Sequence, residues 1–382
     1  MKIVMTLMVR DEADVIGAML QHHRAQGIDH VLITDNASVD GTPEILDEFA
    51  RDGFATVWHD PVHRKQQYVT VTRMARYAAT ELGADWVVNA DADEFWVTRT
   101  PGSTVRDALA AVSDDVSSLT VPVVNLTGAP ARDGSGLDRL VYRDERSDAE
   151  INAAGIPFHP TPDAVHRAHP EVEVSQGNHV ATAPGWAEAG HASDLEVLHL
   201  PWRSWRQYSH KVRVSGEAYL ANPELAPSPR HHGMQDFRRW QGGRLEMTYV
   251  AKHPTAGELA EQSASGALVR DDRLAALVAS GFPGRVPDDP YRADEQERLA
   301  AIGRALTGLE AEYEPIVHEL RTTNAQLLGD RNRLEGEVEH LRELLAELEG
   351  YRNRRVVKAA DAVGRQLRRI QGGRDRATAA DS

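Results

Sequence analysis

Over the first ninety residues, apolar runs of strand length alternate with patterns of helical period. Ile3–Val9, His30–Asp35, Ala55–His59 and Trp86–Ala90 each read as a buried strand. Between them, Asp11 reads as the cap of a helix with Asp14 in its first turn and Gly27 past its end. Thr42-Pro43-Glu44 starts a second helix that Gly53 ends, and residues 66–82 carry a third, closed by Gly83. Four such alternations predict an α/β fold, a mostly parallel sheet flanked by helices and joined by right-handed crossovers.

The next hundred residues are less regular. Residues 119–125, 172–174 and 179–183 suggest further strands, and the charged stretch 133–148 reads as a mobile loop over a site. Residues 195–200 form one more apolar run, broken by Pro201, and Ser204 is placed to cap a helix. Residues 221–290, rich in Pro, Gly, Ser and charge, read as a lid or packing segment followed by a linker.

From Tyr313 the period changes to seven. Tyr313, Leu320, Leu327, Leu334, Leu341 and Leu348 take the d positions of a heptad repeat, and Val317, Asn324, Arg331, Val338 and Leu345 the a positions. This predicts a coiled coil from about Pro315 and a homo-oligomer, with a parallel dimer as the simplest form. The last stretch, residues 351–382, holds nine Arg/Lys and three Asp. Val356, Val357, Ala360, Val363, Leu367 and Ile370 repeat there at helical spacing. It reads as a basic amphipathic helix against an anionic membrane surface, or as a solvated tail. Four regions are therefore expected: 1–220 catalytic, 221–290 lid and linker, 291–350 helical with the coiled coil, and 351–382 the basic tail.

Charge and composition narrow the function. A formal net charge of −15 argues against nucleic acid as a partner. The absence of cysteine removes disulfides, thiolate metal sites and thiol catalysis. No apolar window of about 18 residues exists for a membrane span, and the apolar N-terminal run is too short for a signal peptide. The expected location is the cytoplasm, or the inner face of the cell membrane if the tail binds lipid.

The candidate chemistry lies where the predicted strands end, which is where open α/β sheets bind ligands. Arg10, Asp11 and Glu12 follow the first strand. Asp35, Asn36, Ser38 and Asp40 follow the second, and Asp60, His63, Arg64 and Lys65 the third. The fourth runs into Asp91, Asp93 and Glu94 and then Phe95 and Trp96. If that segment is extended, Asp91 and Asp93 share a face, which suits a hard cation such as Mn²⁺ or Mg²⁺ that keeps open positions for phosphate. Neither G-x-G-x-x-G nor G-x-x-x-x-G-K-[ST] occurs, so a bound diphosphate would need a metal and Arg/Lys for neutralisation.

Three motifs in order, V-R-D-E-A-D-V-I, T-D-N-A-S-V-D-G-T and D-W-V-V-N-A-D-A-D-E-F-W, resemble the family 2-type glycosyltransferases of GT-A fold. The closest likeness is to the bacterial family 2-like subgroup with a DxDEF motif. The resemblance implies a nucleotide-diphosphate-sugar donor, a glycan, lipid-linked or other acceptor, and a role in bacterial cell-surface glycan or glycoconjugate synthesis. It implies that Asp35 and Asp40 bracket the base and ribose, that Arg10 and Glu12 line the nucleotide pocket with Asn36 and Lys65 on the same rim, and that Asp91 and Asp93 hold the metal. His199 is the implied third metal ligand. Arg203, with Arg206 and Lys211 behind it, stands at a helix start where it can meet phosphate. The family's acidic pair at that helix start is replaced by Arg203-Ser204, so the resemblance supplies no base. Asp194 is the choice among its neighbours Glu196, Glu171 and Glu173. The alternatives are a phosphatase or phosphotransferase with Asp91 as nucleophile, and a non-enzymatic coiled-coil assembly protein with a vestigial pocket.

Overall fold

The computed structural model describes residues 1–62, 67–156, 160–192, 194–221, 232–276 and 281–378. The expected alternation is present: β1 (Ile3–Val9), α1 (Ile16–Ala25), β2 (His30–Asp35), α2 (Thr42–Arg51), β3 (Ala55–His59), α3 (Gln67–Thr80) and β4 (Trp86–Ala90). β1 pairs in parallel with β2 and β4, and β2 with β3. The sheet extends beyond β4 through the antiparallel strand Asp163–Arg167 to Ser118–Val121 and Gly190–His191. β1 and β4 lie inside the sheet and are covered on both faces, which is why they read as nearly unbroken apolar runs.

Two local expectations fail. Asp11 does not cap α1, whose N-cap Val15 makes no side-chain cap bond. Asp11 is instead a buried turn residue with φ 55°, and its carboxylate accepts from the Val39 amide at 2.7 Å. Nor are residues 133–148 a mobile loop. Leu137, Leu140 and Val141 are buried there, and Tyr142–Asp144 is a strand of a second sheet.

That five-stranded sheet runs Leu268–Arg270, Tyr142–Asp144, Val123–Thr127, Leu195–His199 and finally β5 (Glu94–Thr98). β5 is an edge strand, and α1 covers the edge with two consecutive histidines. The Trp96 carbonyl lies 2.7 Å from His22 Nε2, and the Trp96 amide donates to His23 Nε2 at 3.1 Å. His23 Nδ1 in turn meets the Met19 carbonyl at 2.8 Å, so His22 is a donor to the edge and His23 an acceptor. Phe95 and Trp96 are wholly buried in the main core.

A third layer is helical. Ser204 caps the helix Trp205–Leu220 by accepting from the Gln207 amide at 3.3 Å, as the sequence suggested. One side of this helix, Tyr208 and Val212, packs on Phe237, Leu245, Tyr249 and Tyr291. Gly216 is needed at that contact, since a Cβ there would stand 2.1 Å from the Phe237 ring. Phe237, Leu245, Tyr249 and Val250 are thus built into this layer, Leu268–Arg270 into the second sheet and Leu274 into the main core. The chain divides into two compact units, Met1–Gly308 and Leu309–Ser382, a boundary well after residues 220 and 290.

The described part of this second unit is helical, in the elements Ala293–Asn353 and Arg355–Thr378. The first begins before Pro315 and contains it, so proline is not its start. The six residues at d positions are each more than half exposed. Among the described residues, no helix is long and apolar enough to cross a membrane.

Candidate active site

A cavity of about 210 Å³ opens where β1, β2 and β4 end. Arg10, Asp11, Glu12, Asn36, Gln67, Asp91 and Asp93 line one side, and Gln207, His210 and Lys211 the other. The Trp205–Leu220 helix brings these last three because its opposite side is anchored in the aromatic layer. Their spacing, with Val214 and Ala218, follows the helical period of one face. That polar stripe was the signal by which sequence reasoning would have found Gln207 and His210.

Asp91 and Asp93 do not occupy an extended segment. β4 stops at Ala90, and a turn closed by the Glu94 amide on the Asp91 carbonyl (3.2 Å) leads into β5. The two carboxylates therefore have different company. Asp91 Oδ1 accepts from Gln67 Nε2 at 2.8 Å and from Asn178 Nδ2 at 3.3 Å. Asp93 Oδ2 accepts from Lys211 Nζ at 2.7 Å and lies 3.3 Å from an Arg203 nitrogen. Burial alone would raise the Asp93 carboxyl, but Lys211, His199 and Arg203 outweigh it and hold it well below the ordinary carboxylate range.

Arg203 is fully buried, so it does not meet phosphate as expected. It is the hub of an acid cluster: it donates to both Asp14 oxygens at 2.8 and 3.1 Å and to Glu12, and faces Asp93. Burial drives the Glu12 carboxyl up to about 7 despite the opposing pull of Arg203 and Lys211. Glu94 is pushed far up too, by burial first and then by Asp163 and Asp91, and it accepts from the Asp91 amide at 2.8 Å. Arg203 therefore positions the first-strand loop, the late helix and the Asp93 turn relative to one another.

His199 stands at the end of its strand as the sequence placed it. Its Nδ1 lies 2.9 Å from the Asn125 amide oxygen, which can only accept, so Nε2 keeps its lone pair. Nε2 faces Asp93 Oδ2 at 3.8 Å. Lys211 and Arg203 supply positive charge beside the same oxygen. Two donors bonded to one small cation at about 2.1 Å each lie roughly 3–4 Å apart, so the pair fits a hard cation. Among the described residues, no three metal-binding side chains come together, so the expected trio of Asp91, Asp93 and His199 reduces to the last two.

The remaining expectations divide. Arg10 donates to the Asn36 carbonyl at 2.9 Å, and Asn36 Nδ2 ties the end of β2 to the carbonyls of Asp60 and Val62. Asp35 and Asp40 lie outside the cavity lining and serve the loop. Asp35 accepts from the Ser38 amide at 3.1 Å, and Asp40 from Thr42 and from the Ala13 amide. Lys65, with His63 and Arg64, falls outside the described residues. Asp194 is not brought to the cavity. It precedes Leu195, at the far end of the strand from His199, and accepts from the Thr100 amide (3.0 Å) and hydroxyl (2.8 Å). At about 3.3 Å per residue that strand separates it from His199 by more than 13 Å. Arg206 reaches away to Asp133 at 3.0 Å.

The chain has an α/β fold with a cavity at the ends of its parallel strands. Residues 5–134 match the model of glycosyltransferase family 92, less than half of the chain. That match and the motif likeness to family 2-type enzymes agree on a GT-A-like glycosyltransferase. Among curated proteins nothing matches. Among solved structures, TarS 1-349 of S. aureus in complex with UDP-GlcNAc is 11% identical, covers 67% of this chain and 82% of its own, and has a TM-score of 0.34. Glucosyl-3-phosphoglycerate synthase of Mycobacterium tuberculosis, in complex with Mn²⁺, UDP and glucosyl-3-phosphoglycerate, is 15% identical over 44% of this chain and 57% of its own, with a TM-score of 0.25. Scores this low leave the site to rest on the chain's own residues.

Proposed function

We propose that the protein transfers a sugar from a nucleotide-diphosphate-sugar to an acceptor hydroxyl, in the manner of family 2-type enzymes with a DxD turn. The observation that carries the reading is the facing pair Asp93–His199, of which Asp93 lines the cavity at the strand ends. In this reading Arg10 and Asn36 border the nucleotide. Mn²⁺ or Mg²⁺ held by Asp93 and His199 supplies positive charge to the departing diphosphate. Lys211, already on Asp93, adds a second cation beside the same oxygens. Asp91, fixed by Gln67 and Asn178, faces the sugar side. Leu309–Ser382 joins copies through the heptad seam, and the basic tail holds the enzyme at the cytoplasmic face of a membrane carrying its glycan or lipid-linked acceptor.

The deciding experiment is a screen of nucleotide-sugars for release of nucleoside diphosphate, with Mn²⁺ and with EDTA. Release from one donor that EDTA abolishes is expected. Turnover at an unchanged rate in excess EDTA would remove the metal from the reading, and no release from any donor would remove the reading itself. An aspartyl-phosphate trapped on Asp91 would favour the phosphotransferase instead.

A further inference from the structure

We propose that His179, oriented by Asp163, is the general base that takes the proton of the acceptor hydroxyl. The inference rests on the glycosyltransferase reading and adds the residue that it lacks, since Asp194 stands elsewhere.

Asp163 opens the strand Asp163–Arg167, which runs antiparallel to β4 with Val165 opposite Val88. Continuing that register sets Asp163 level with Ala90, the residue before Asp91. In the order of the sheet this strand lies on the side of β4 away from β1 and β2, hence away from Arg10 and Asn36. Asp163 therefore stands on the Asp91 side of the strand ends rather than on the side of Arg10 and Asn36.

Asp163 is 1% exposed, and its Oδ1 lies 3.3 Å from His179 Nδ1, while its Oδ2 makes no hydrogen bond. A carboxylate so buried, with a single hydrogen bond, is a costly arrangement for a mere loop tie. The hairpin that carries His179 is fastened to the cavity wall. Asn178 donates to Asp91, and Gln176 Nε2 donates to Gln67 at 2.7 Å. Gly177 has φ +81°, a backbone conformation that favours glycine, and the His179 ring packs over it. The imidazole is partly exposed, unlike its partner. The hydrogen bond to Asp163 raises its affinity for a proton; burial opposes this, and the charge of Asp163, the Pro162 carbonyl and Asp91 add to it.

The arrangement is a base held by a carboxylate. Nδ1–H points to Asp163, and Nε2 receives the proton of the acceptor O–H. The oxygen's electron pair forms the bond to the anomeric carbon. The bond from that carbon to the diphosphate oxygen breaks, and its electrons leave with the nucleoside diphosphate. The imidazolium, paired with Asp163, then returns its proton to water. One such displacement inverts the anomeric configuration.

The test uses full-length protein with Mn²⁺. The donors are UDP-glucose, UDP-N-acetylglucosamine and GDP-mannose, and water and methyl β-glucoside are the probe acceptors. His179→Gln is expected to lower diphosphate release by about 10²–10⁴-fold, with calorimetric affinity for UDP or GDP unchanged. The acid limb of the wild-type pH–rate profile should vanish in the variant. Imidazole should restore part of the activity of His179→Gly, a response that a misfolded hairpin does not give. Asp163→Asn should lower release less. His179→Gln at the wild-type rate, loss of nucleotide affinity together with release, or a product of retained configuration would each overturn the assignment. A wild-type protein that binds and cleaves no probe would sink the glycosyltransferase reading and the base with it. An active wild type with an unaffected variant sinks the base alone.

Discussion

Met1–Gly308 and Leu309–Ser382 use opposite means to keep a structure. The first closes its apolar residues inside its own chain and folds charge in with them: Arg203, Asp93 and Glu12 are all buried among one another. The second leaves Leu320, Leu327, Leu334, Leu341 and Leu348 open at a spacing of seven. A buried charge cluster makes no demand for a partner chain, because every carboxylate in it already faces a cation. An exposed heptad stripe does make that demand, because a lone helix gains nothing from its apolar face. The comparison separates a unit that pairs its buried polar groups internally from one that leaves an apolar stripe exposed.

The strongest way to break the first half is Arg203→Met. It leaves Glu12, Asp14 and Asp93 without their shared cation in a buried site. Loss of one partner of a buried pair costs about 3–5 kcal/mol. Urea denaturation followed by tryptophan fluorescence should show that loss, since all seven tryptophans precede residue 309. A shift below about 1 kcal/mol would mean that the cluster is not what holds the three elements together.

The second half breaks at Leu334→Asp. A buried leucine in the seam is worth about 1.5–3 kcal/mol per helix, and a carboxylate facing its own copy adds repulsion. Light scattering at micromolar concentration should show a dimer for the wild type and a monomer for the variant. Truncation after Gly308 should also give a monomer. Unfolding of the first unit should be the same in both. A monomeric wild type would mean that the stripe is covered some other way.

Acid should act on the first unit alone. Burial lowers the proton affinity of His22 and His166 to about 4, that of His253 to about 3, and that of His23 well below its ordinary value. Unfolded, each takes a proton near 6.5; folded, it does not. Stability is therefore full above about pH 6.5 and falls as pH drops, by roughly 1.4 kcal/mol per pH unit for each such histidine. Protonating His23 also removes the acceptor that the Trp96 amide uses at the edge of β5. Calorimetry from pH 7 to pH 5 should lower the first unit's transition. A flat profile for the first unit would contradict the burial of these rings.

Much of this contrast was legible in the residues. The alternation of β1 to β4 with α1 to α3 is local, and so is the Ser204 cap; each element carries its own period and punctuation. The heptads are local too. Arg203 and Asp194 were misplaced because their surroundings come from pairings that no local pattern encodes. Arg203 stands nearly 190 residues after Glu12 and Asp14. Asp194 looked near His199 by number, but a strand points its two ends in opposite directions. The second sheet escaped for the same reason, since its strands come from five separate stretches. The i, i+2 argument for Asp91 and Asp93 rested on a wrong premise, because a turn rather than extended chain follows the end of β4 at Ala90.

Asp194→Ala gives the smallest expected effect and tests the finest part of the comparison. The carboxylate accepts from the amide and hydroxyl of Thr100, and the Asp194 carbonyl accepts from the Arg99 amide at 2.8 Å. Only the side-chain contacts are lost in the variant. They lie at a half-exposed strand start, where each hydrogen bond is worth about 0.5–1.5 kcal/mol and water replaces it readily. Stability should fall by about 1 kcal/mol, with diphosphate release within twofold of wild type. Beside His179→Gln, this separates the proposed base from Asp194, which stands at the far end of a strand from His199. A hundredfold fall in release from Asp194→Ala, with donor affinity intact, would return the base to residue 194 and would require the Leu195–His199 strand to sit otherwise against β5.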